Sequence, residues 1–272
     1  MKHIPTVVRT PINFTYSPQL HLMYCDQRAV LSKWRAKNVL VGFWRLYWND
    51  RPGAFLYSDT ARYAITPDTF TLVAPNTPLS YDLAAPTAHF HAHFTAGLPY
   101  ALLHSYVHQF PAQSWQIAIM RQYYPHHQTN RNIPHQDDPW RVAAVMTLCW
   151  HALLTLPKHL LKLMEVEPRL NLLLRWWEAQ NWTNLSNSVL AQQIGMEKTA
   201  FCRYFHRRLG QPPHIYGLHK RLDRASIMLR YSTASIKEIA DATGFCDRYH
   251  FSKTFKQVFK INPSAFRRQA SV

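Results

Sequence analysis

The last third of the chain contains a degenerate repeat that occurs twice, at an offset of 49 to 50 residues. The first copy comprises Ala191, Gly195, Phe201, Phe205, Pro213 and Tyr216, and the second comprises Ala240, Gly244, Phe251, Phe255, Pro263 and Phe266. The small residue lets two helices approach closely, the glycine permits the positive φ of a tight turn, and the later apolar residues anchor the following helix. Each copy therefore predicts a helix-turn-helix, and the second carries one inserted residue after Gly244.

The repeat lies in the most basic part of a basic chain. The 272 residues have a formal net charge of +16 with histidine neutral. From Arg169 onward there are 17 Lys and Arg against 6 Asp and Glu, a net charge of +11. A surplus of positive charge on two candidate helix-turn-helix motifs is the electrostatic footprint expected for a polyanionic partner such as DNA.

The second helix of each motif supplies the candidate DNA contacts. A helix predicted over Lys198 to Leu209 turns outward Thr199, Cys202, Arg203 and His206. A helix predicted over Asp247 to Phe259 turns outward Arg248, Tyr249, Ser252, Lys253 and Lys256. Arg or Lys combined with small polar groups suits base edges of the major groove and the flanking phosphates. A single helix predicted over His214 to Arg230 can space the two motifs for successive major grooves.

Residues 1 to about 135 have the pattern of a β domain. Short apolar runs between Pro, Asn, Asp and Gly turns predict strands at Leu40–Trp48, Ala54–Tyr57, Thr69–Val73 and His89–Phe94, as in a small sandwich or barrel. After Pro139, helical spacing predicts an amphipathic helix over Val142 to Leu156, packed on its own sheet or on a second subunit. The predicted fold class is α+β, with residues 1–138 as a regulatory domain, 139–168 as a dimerisation helix and linker, and 169–272 as an all-α domain.

Two groups of residues in the predicted sheet are candidates for binding a small molecule. Arg45 shares a strand face with Phe43 and Tyr47, which suits a sugar or a carboxylate, although an Arg at a sheet edge gives the same pattern. His89, His91 and His93 alternate and so share one face. These histidines suit a metal, a polar pocket or a solvated face, and no carboxylate follows before Asp137 to complete a metal site.

Composition argues against several other classes of protein. The four cysteines have neither disulfide-framework nor zinc-finger spacing, which favours a reducing cytosol and predicts no structural metal. The N-terminus has no apolar stretch typical of a signal peptide, and the oily region Val142 to Leu156 is too short to span a bilayer. We therefore expect a cytoplasmic, nucleoid-associated protein without a membrane partner.

The C-terminal third resembles the AraC/XylS family of transcription regulators over about 100 residues. The resemblance is carried by Leu190-Ala191, Gly195-Met196, Phe205 with Gly210, Arg221 to Ala225, Ile236 to Ala240, Gly244-Phe245, Phe251 to Lys256, Pro263 and Arg267. By this resemblance the base-reading positions are Thr199, Cys202 and Arg203 in the first motif and Arg248, Tyr249, Ser252 and Lys253 in the second.

The resemblance also implies a function for the whole chain. It implies a cupin-like N-terminal barrel that binds an effector or dimerises, a homodimer, RNA polymerase as a partner, activation of transcription, and neither enzyme activity nor a cofactor. The candidate effector contacts are Phe43, Arg45, Tyr47, His91 and His93. Two alternatives remain, a cupin-type metalloenzyme with an appended DNA-binding domain and a DNA-binding protein without a ligand.

Three positions depart from the family pattern. Glu197 replaces a Ser that usually caps the first recognition helix, so we expect weaker capping there. Lys253 replaces an Arg, which loses the bidentate fork and favours a phosphate contact. Lys260 replaces a Gly, so either a Lys accepts positive φ or the turn is rearranged.

Overall fold

The computed structural model describes residues 19–31, 34–97, 99–123, 138–157, 159–160 and 167–270. Within these residues the N-terminal part forms a two-sheet domain, here called the sheet domain. Its strands are β1 (Leu20–Leu31), β2 (Ala36–Val39), β3 (Trp44–Asn49), β4 (Ala54–Tyr57), β5 (Arg62–Ile65), β6 (Thr69–Val73), β7 (Leu79–Leu83), β8 (Thr87–Ala96) and β9 (Val107–Pro111). One sheet has the order β1-β8-β3-β6-β9 and the other β2-β7-β4-β5, with antiparallel pairing between neighbours.

Period-two alternation gives the larger sheet two different faces. On β8, Phe90, Ala92 and Phe94 face helices α1 (Ser114–Tyr123) and α2 (Pro139–Leu154) and share a hydrophobic core with them. The intervening histidines face the interior between the sheets. Helix α2 therefore packs on its own sheet, which was one of the two arrangements that the sequence left open.

The predicted strand Leu40–Trp48 begins too early. Strand β3 starts at Trp44, and the preceding segment leaves the sheet. Val41 and Phe43 there pack into a core formed by the C-terminal helices. An apolar run that serves a tertiary contact looks the same in the sequence as a buried strand, because both bury the same residue types.

The C-terminal part is all-helical, as the sequence predicts. Its helices are α3 (Pro168–Ala179), α4 (Asn187–Gln193), α5 (Lys198–Leu209), α6 (Pro213–Tyr231), α7 (Ile236–Ala242), α8 (Arg248–Phe259) and α9 (Pro263–Ala270). The cupin-like character of the sheet domain and the boundaries at 138 and 168 stay predictions. Residues 158 and 161–166 of the predicted linker lie outside the described residues. No helix among the described residues has the length and apolar content needed to cross a membrane.

Helix α6 connects two separate hydrophobic cores. Near its start, Tyr216 belongs to a core that contains Trp177, Phe201 and Phe205. Further along, Leu222, Ala225 and Leu229 belong to a second core built by α7, α8 and α9, which includes Phe251, Phe255 and Phe266. Each helix-turn-helix therefore has its own core, and the 19 residues of α6, about 28 Å of helix, hold the two at a fixed separation.

The sheet domain contacts α6 through its loops. A Cβ placed on Gly42 would lie 2.3 Å from Asp223 Oδ1, so this close approach requires a residue without a side chain. Asn76 Nδ2 donates to Asp223 Oδ1 at 3.4 Å, and Lys220 Nζ donates to the Ala101 carbonyl oxygen at 3.0 Å. These contacts join the sheet domain to the helix that connects the two motifs.

We predict that Asp223→Asn makes the free energy of unfolding less sensitive to pH. Burial raises the pKa of the Asp223 carboxyl from 3.8 to about 7, although Lys220 and Asn76 act in the opposite direction. The folded protein therefore binds more protons than the unfolded chain between pH 4 and 7, and its stability falls as pH rises through that window.

Urea denaturation at pH 5 and pH 8 checks this prediction. The amide cannot ionise, so the stability of the variant relative to the parent should be greater at pH 8 than at pH 5. Lys220, His104 and His219 lie near the carboxyl and are retained in both proteins. An equal difference at the two pH values would show that Asp223 does not titrate in this range.

Candidate nucleic-acid interface and effector site

The first helix-turn-helix is formed by α4 and α5. Ser186 caps α4 by accepting a hydrogen bond from Val189 N at 3.3 Å. Gly195 has φ +58° in the turn between the helices. Leu190 and Ala191 pack against Phe201 and Phe205, so the predicted inward stripe of α5 is confirmed.

The predicted contact residues of α5 lie on its outer face. Thr199, Arg203 and His206 are exposed, while Cys202 is half-buried and its Sγ accepts from Asn187 Nδ2 at 3.2 Å. Cys202 therefore also belongs to the packing between α4 and α5. The outward placement agrees with the sequence, and the contacts themselves stay a prediction.

The second helix-turn-helix is formed by α7 and α8. Ser235 and Glu238 form a reciprocal capping box at the start of α7, and Gly244 has φ +72° in the turn. Asp247 caps α8 by accepting from Tyr249 N and His250 N, both at 2.7 Å. The helix thus begins one residue later than the sequence predicts, because Asp247 is its N-cap.

The outer face of α8 carries the other predicted contact residues. Arg248, Tyr249, Lys253 and Lys256 are exposed, and Ser252 is half-buried. Arg248 Nη2 donates to Tyr249 Oη at 2.8 Å, and its guanidinium lies 4.7 Å from the centre of the Tyr249 ring. The two side chains at the tip of the recognition helix therefore support each other, a relation that the sequence did not indicate.

The expectation of a weaker cap at Glu197 was wrong. The Glu197 carboxylate accepts from Thr199 N at 2.7 Å and from Ala200 N at 3.0 Å. The hydrogen bond from the Ala200 amide is the main reason that the pKa of Glu197 is lowered. A glutamate can replace the usual serine because its carboxylate reaches the same free N–H groups and favours the positive end of the helix dipole.

Two arginines from the segments that resemble the AraC/XylS family bond backbone carbonyl groups within the C-terminal domain. Arg221 Nη1 donates to the Gly244 carbonyl oxygen at 2.8 Å, and its guanidinium lies 5.1 Å from the Phe245 ring. Arg267 Nη2 donates to the Ala234 carbonyl oxygen at 2.5 Å. These charges therefore stabilise the turns around α7, and the exposed cations of α5 and α8 remain for a polyanion.

The five candidate effector residues come together around β3 and β8. Arg45 lies directly opposite His93, and Tyr47 lies opposite His91, across the antiparallel pair. The Phe43 ring is 5.0 Å from that of His93. The sequence predicted one face for the residues around β3 and another for the histidines of β8. The pairing of β3 with β8 makes these two faces one continuous face of the sheet.

This face contains a buried guanidinium that is only partly satisfied. Arg45 is 2% exposed, and Nη2 donates to the Thr77 carbonyl oxygen at 3.0 Å. Its Nε is buried without a hydrogen-bond partner among the described residues. Such a group normally has a partner, so Arg45 retains a donor that an anionic ligand could use.

The C-terminal domain closes one end of the same face. The Tyr231 hydroxyl hydrogen-bonds His93 Nδ1, and the Tyr231 ring stacks on Tyr24 at 5.7 Å. Burial, with the nearby His91, Arg230 and Arg45, lowers the pKa of His93 well below its usual value, so its ring is neutral at pH 7. Tyr24, Arg230 and Tyr231 belong to this candidate site, and no sequence pattern linked them to it.

The histidine stripe has no metal-site geometry in the described part of the chain. There, no three His, Cys, Asp or Glu side chains are grouped as a metal site would require. His89 Nδ1 lies 2.7 Å from Asn49 Oδ1, and His93 bonds Tyr231. The side chains of residues 26–31 lie outside what the structure describes.

Two capped helix pairs, each with an exposed basic recognition helix, define a double helix-turn-helix domain. Residues 190–269 match the family model described as a helix-turn-helix domain. The matched segment includes both recognition helices, α5 and α8.

Known proteins match the chain in two ways. The transcriptional activator RhaS of Escherichia coli O139:H28 is 34% identical over 99 residues, 36% of this chain and 36% of RhaS. The chain therefore spans little more than a third of the length of the curated relatives it matches. ToxT from Vibrio cholerae has the same overall fold, with a TM-score of 0.53 and 13% identity over 93% of this chain and 98% of ToxT. Another ToxT structure, with a TM-score of 0.51 and 12% identity over 92% and 94% of the two chains, contains an unsaturated fatty acid.

Equivalent positions after the two recognition helices allow a paired test of backbone strain. Gly210 and Lys260 both end their helices in the left-handed region, with φ +71° and +63°. Lys260 therefore adopts a positive φ, which is the first of the two alternatives that the sequence left open. We predict that Lys260→Gly stabilises the fold by about 1 kcal/mol and that Gly210→Ala destabilises it by a similar amount.

Chemical denaturation of the two variants measures both changes. Nothing lies within 4 Å of a Cβ added at Gly210, so no steric clash contributes to the effect there. Lys260 Nζ donates to the Gln257 carbonyl oxygen at 2.9 Å, and Lys260→Ala controls for loss of that bond. If Lys260→Gly were no more stable than Lys260→Ala, strain at this position would be negligible.

Proposed function

We propose that the chain is a sequence-specific transcription activator that binds duplex DNA and responds to a small effector. The observation that carries the proposal is the pair of exposed basic recognition helices on two cores joined by α6. A helix of this width fits the major groove, and base edges there distinguish all four base pairs. The 34% identity to the activator RhaS over 99 residues supports activation of transcription as opposed to repression.

The proposed DNA contacts divide by chemistry. Arg203, in the middle of α5, and Arg248, at the beginning of α8, are planar donors that suit guanine O6 and N7. Thr199, Cys202, Tyr249 and Ser252 complete the base-facing sets. Lys253 and Lys256 lie on the exposed face of α8, where a point charge suits phosphates, and His206 lies on the exposed face of α5, where a ring nitrogen can hydrogen-bond them.

We expect Arg203→Ala and Arg248→Ala each to weaken binding to a preferred site by about tenfold or more. The preferred site is first selected from random duplex DNA with the full chain, and fluorescence anisotropy then compares it with a scrambled duplex. Loss of a base contact weakens binding to the selected site and leaves the scrambled duplex nearly unaffected.

Arg62→Ala is the matched control, because this exposed arginine lies on β5 over the Phe55 ring, in the sheet domain. It should bind both duplexes like the parent. An equal loss on both duplexes would assign Arg203 or Arg248 to phosphate contacts. A parent protein without preference for any selected site would instead support a DNA-binding protein without sequence specificity.

The proposed effector is a small acid that binds between the sheets, with Phe43, Arg45, Tyr47, His91 and His93 as its contacts. Arg45 has a buried N–H without a partner in the described ranges of the chain, and Arg230 adds a second positive charge nearby. Because neutral His93 is bonded to Tyr231, a ligand here would affect the end of α6 directly. This link to α6 favours regulation by the ligand over a purely structural role for the sheet domain.

We predict that Arg45→Gln abolishes a rise in thermal midpoint caused by small carboxylic acids. Ligand binding to the folded state raises the midpoint by mass action, so the full chain is screened against acids and sugars. Arg62→Gln is the control and should respond as the parent does. A rise in midpoint with sugars alone would show that the effector is a neutral ligand and not an acid. No rise with any compound would favour a protein without an effector.

The remaining parts of the proposal follow from activation of transcription. An activator acts in the cytoplasm at the nucleoid, contacts RNA polymerase, and in this proposal binds DNA as a homodimer without enzyme activity. The rival is a cupin-type metalloenzyme with an appended DNA-binding domain, which requires bound metal at His91 and His93. Metal analysis of the purified protein distinguishes the two, since a metal-free protein that still binds its selected DNA excludes the rival.

A further inference from the structure

A second cavity lies between the sheet domain and the helix-turn-helix domain. Its volume is about 290 Å³, close to the lower end of the range for small-molecule sites. Leu40, Asn76 and His104 form the wall from the sheet domain, and Tyr216 and Lys220 of α6 lie opposite. None of the five candidate effector residues lines this cavity, so it is a different site from the one proposed for the acid.

Two buried polar groups on the cavity wall have no hydrogen-bond partner in the part of the chain that the structure describes. Tyr216 is 2% exposed, and its hydroxyl makes no hydrogen bond with the described residues. His104 Nδ1 is likewise buried without a partner among them. Burial, together with Lys220 and His219, lowers the pKa of His104 to about 4, so this ring is neutral. A neutral imidazole nitrogen can accept a hydrogen bond, and a hydroxyl can donate one.

The same cavity has opposite charges one helical turn apart. Lys220 and Asp223 are three residues apart on α6, and both line the cavity. Among the ion pairs of the described residues, none joins them. Lys220 Nζ donates to the Ala101 carbonyl oxygen and lies 5.4 Å from the centre of the Tyr216 ring, and Asp223 accepts a long hydrogen bond of 3.4 Å from Asn76. A cation and an anion that face one cavity without a salt bridge between them are complementary to a molecule that carries both charges.

We propose that this cavity binds a small zwitterion of the α-amino-acid type. Its carboxylate is held by Lys220 and the Tyr216 hydroxyl, and its ammonium group by the Asp223 carboxylate and His104 Nδ1. Leu40 and Val258 supply apolar surface for a short aliphatic side chain. The volume limits the ligand to a small amino acid.

The position of the cavity gives the ligand a means to affect DNA binding. Gln211, which follows the first recognition helix, and Val258, in the second, both line it. The ligand would therefore contact the sheet domain and elements from both motifs at once. A molecule that binds only when these parts are together stabilises that arrangement by its differential affinity.

Isothermal titration calorimetry of the full chain at pH 8 tests the proposal, because Asp223 is mostly ionised at that pH. The probes are glycine, alanine, serine and valine. Ethylamine and propionate are the matched compounds for alanine, each with one of its two charged groups removed. We expect at least one amino acid to bind, and each single-charge compound to bind at least tenfold more weakly than alanine or not at all at this site.

Two variants identify the site. Tyr216→Phe removes only the unpartnered hydroxyl and keeps the ring among Trp177, Trp182 and Phe205, and Asp223→Asn removes the anion. Each should weaken amino-acid binding at least tenfold. Tyr57→Phe, the same change on β4 of the sheet domain, should bind like the parent. Circular dichroism and the ligand-free thermal midpoint check that each variant is folded.

The outcomes separate this cavity from the proposed acid site. Propionate binding that is lost in Arg45→Gln and retained in Tyr216→Phe belongs to the acid site, and failure of that site leaves the amino-acid result unaffected. The cavity proposal is overturned if no amino acid binds at 10 mM. It is also overturned if amino-acid binding is unchanged in folded Tyr216→Phe and Asp223→Asn, or lost only in Arg45→Gln.

Discussion

The structure depends on one helix that is buried at three places. The start of α6 packs in the core of the first motif, its later residues pack in the core of the second, and Asp223 meets Gly42 and Asn76 of the sheet domain between them. Because a helix is stiff along its axis, these three contacts fix the relation between the two recognition helices and connect it to the sheet domain. The proposed effector site in the sheet domain is therefore physically connected to both proposed recognition helices.

Positive charge in the C-terminal domain has two different roles. Arg221 and Arg267 bond backbone carbonyl oxygens inside the framework, while the cations on the outer faces of α5 and α8 are exposed. A count of charges in the sequence cannot separate these roles, since both raise the net charge equally. The structure distinguishes the two roles by the partner of each side chain. The exposed cations described above lie on the two helices that the repeat predicted as recognition helices.

Ionisable and polar groups are buried both at the contact between the domains and inside the sheet domain. Asp223 lies in the domain contact with its pKa raised to about 7 by burial, and Arg45, His104 and Tyr216 have buried polar atoms without hydrogen-bond partners among the described residues. Groups of this kind cost free energy unless a partner compensates for the lost hydration. They are grouped in two places, between the sheets and beside α6, and both places touch the helix that joins the motifs.

The sequence by itself determined the two helix-turn-helix motifs, the limits of both recognition helices to within one residue, and their outward residues. These features follow from local signals, namely helical periodicity, turn glycines and capping residues, which act over a few positions of the chain. Only the tertiary structure decided that Val41 and Phe43 leave the sheet, that Arg45 pairs with His93, and that Tyr231 closes the same site. The contact between His93 and Tyr231, for example, joins residues 138 positions apart. Such contacts depend on which surfaces meet after the domains fold, and a periodic pattern contains no information about that meeting.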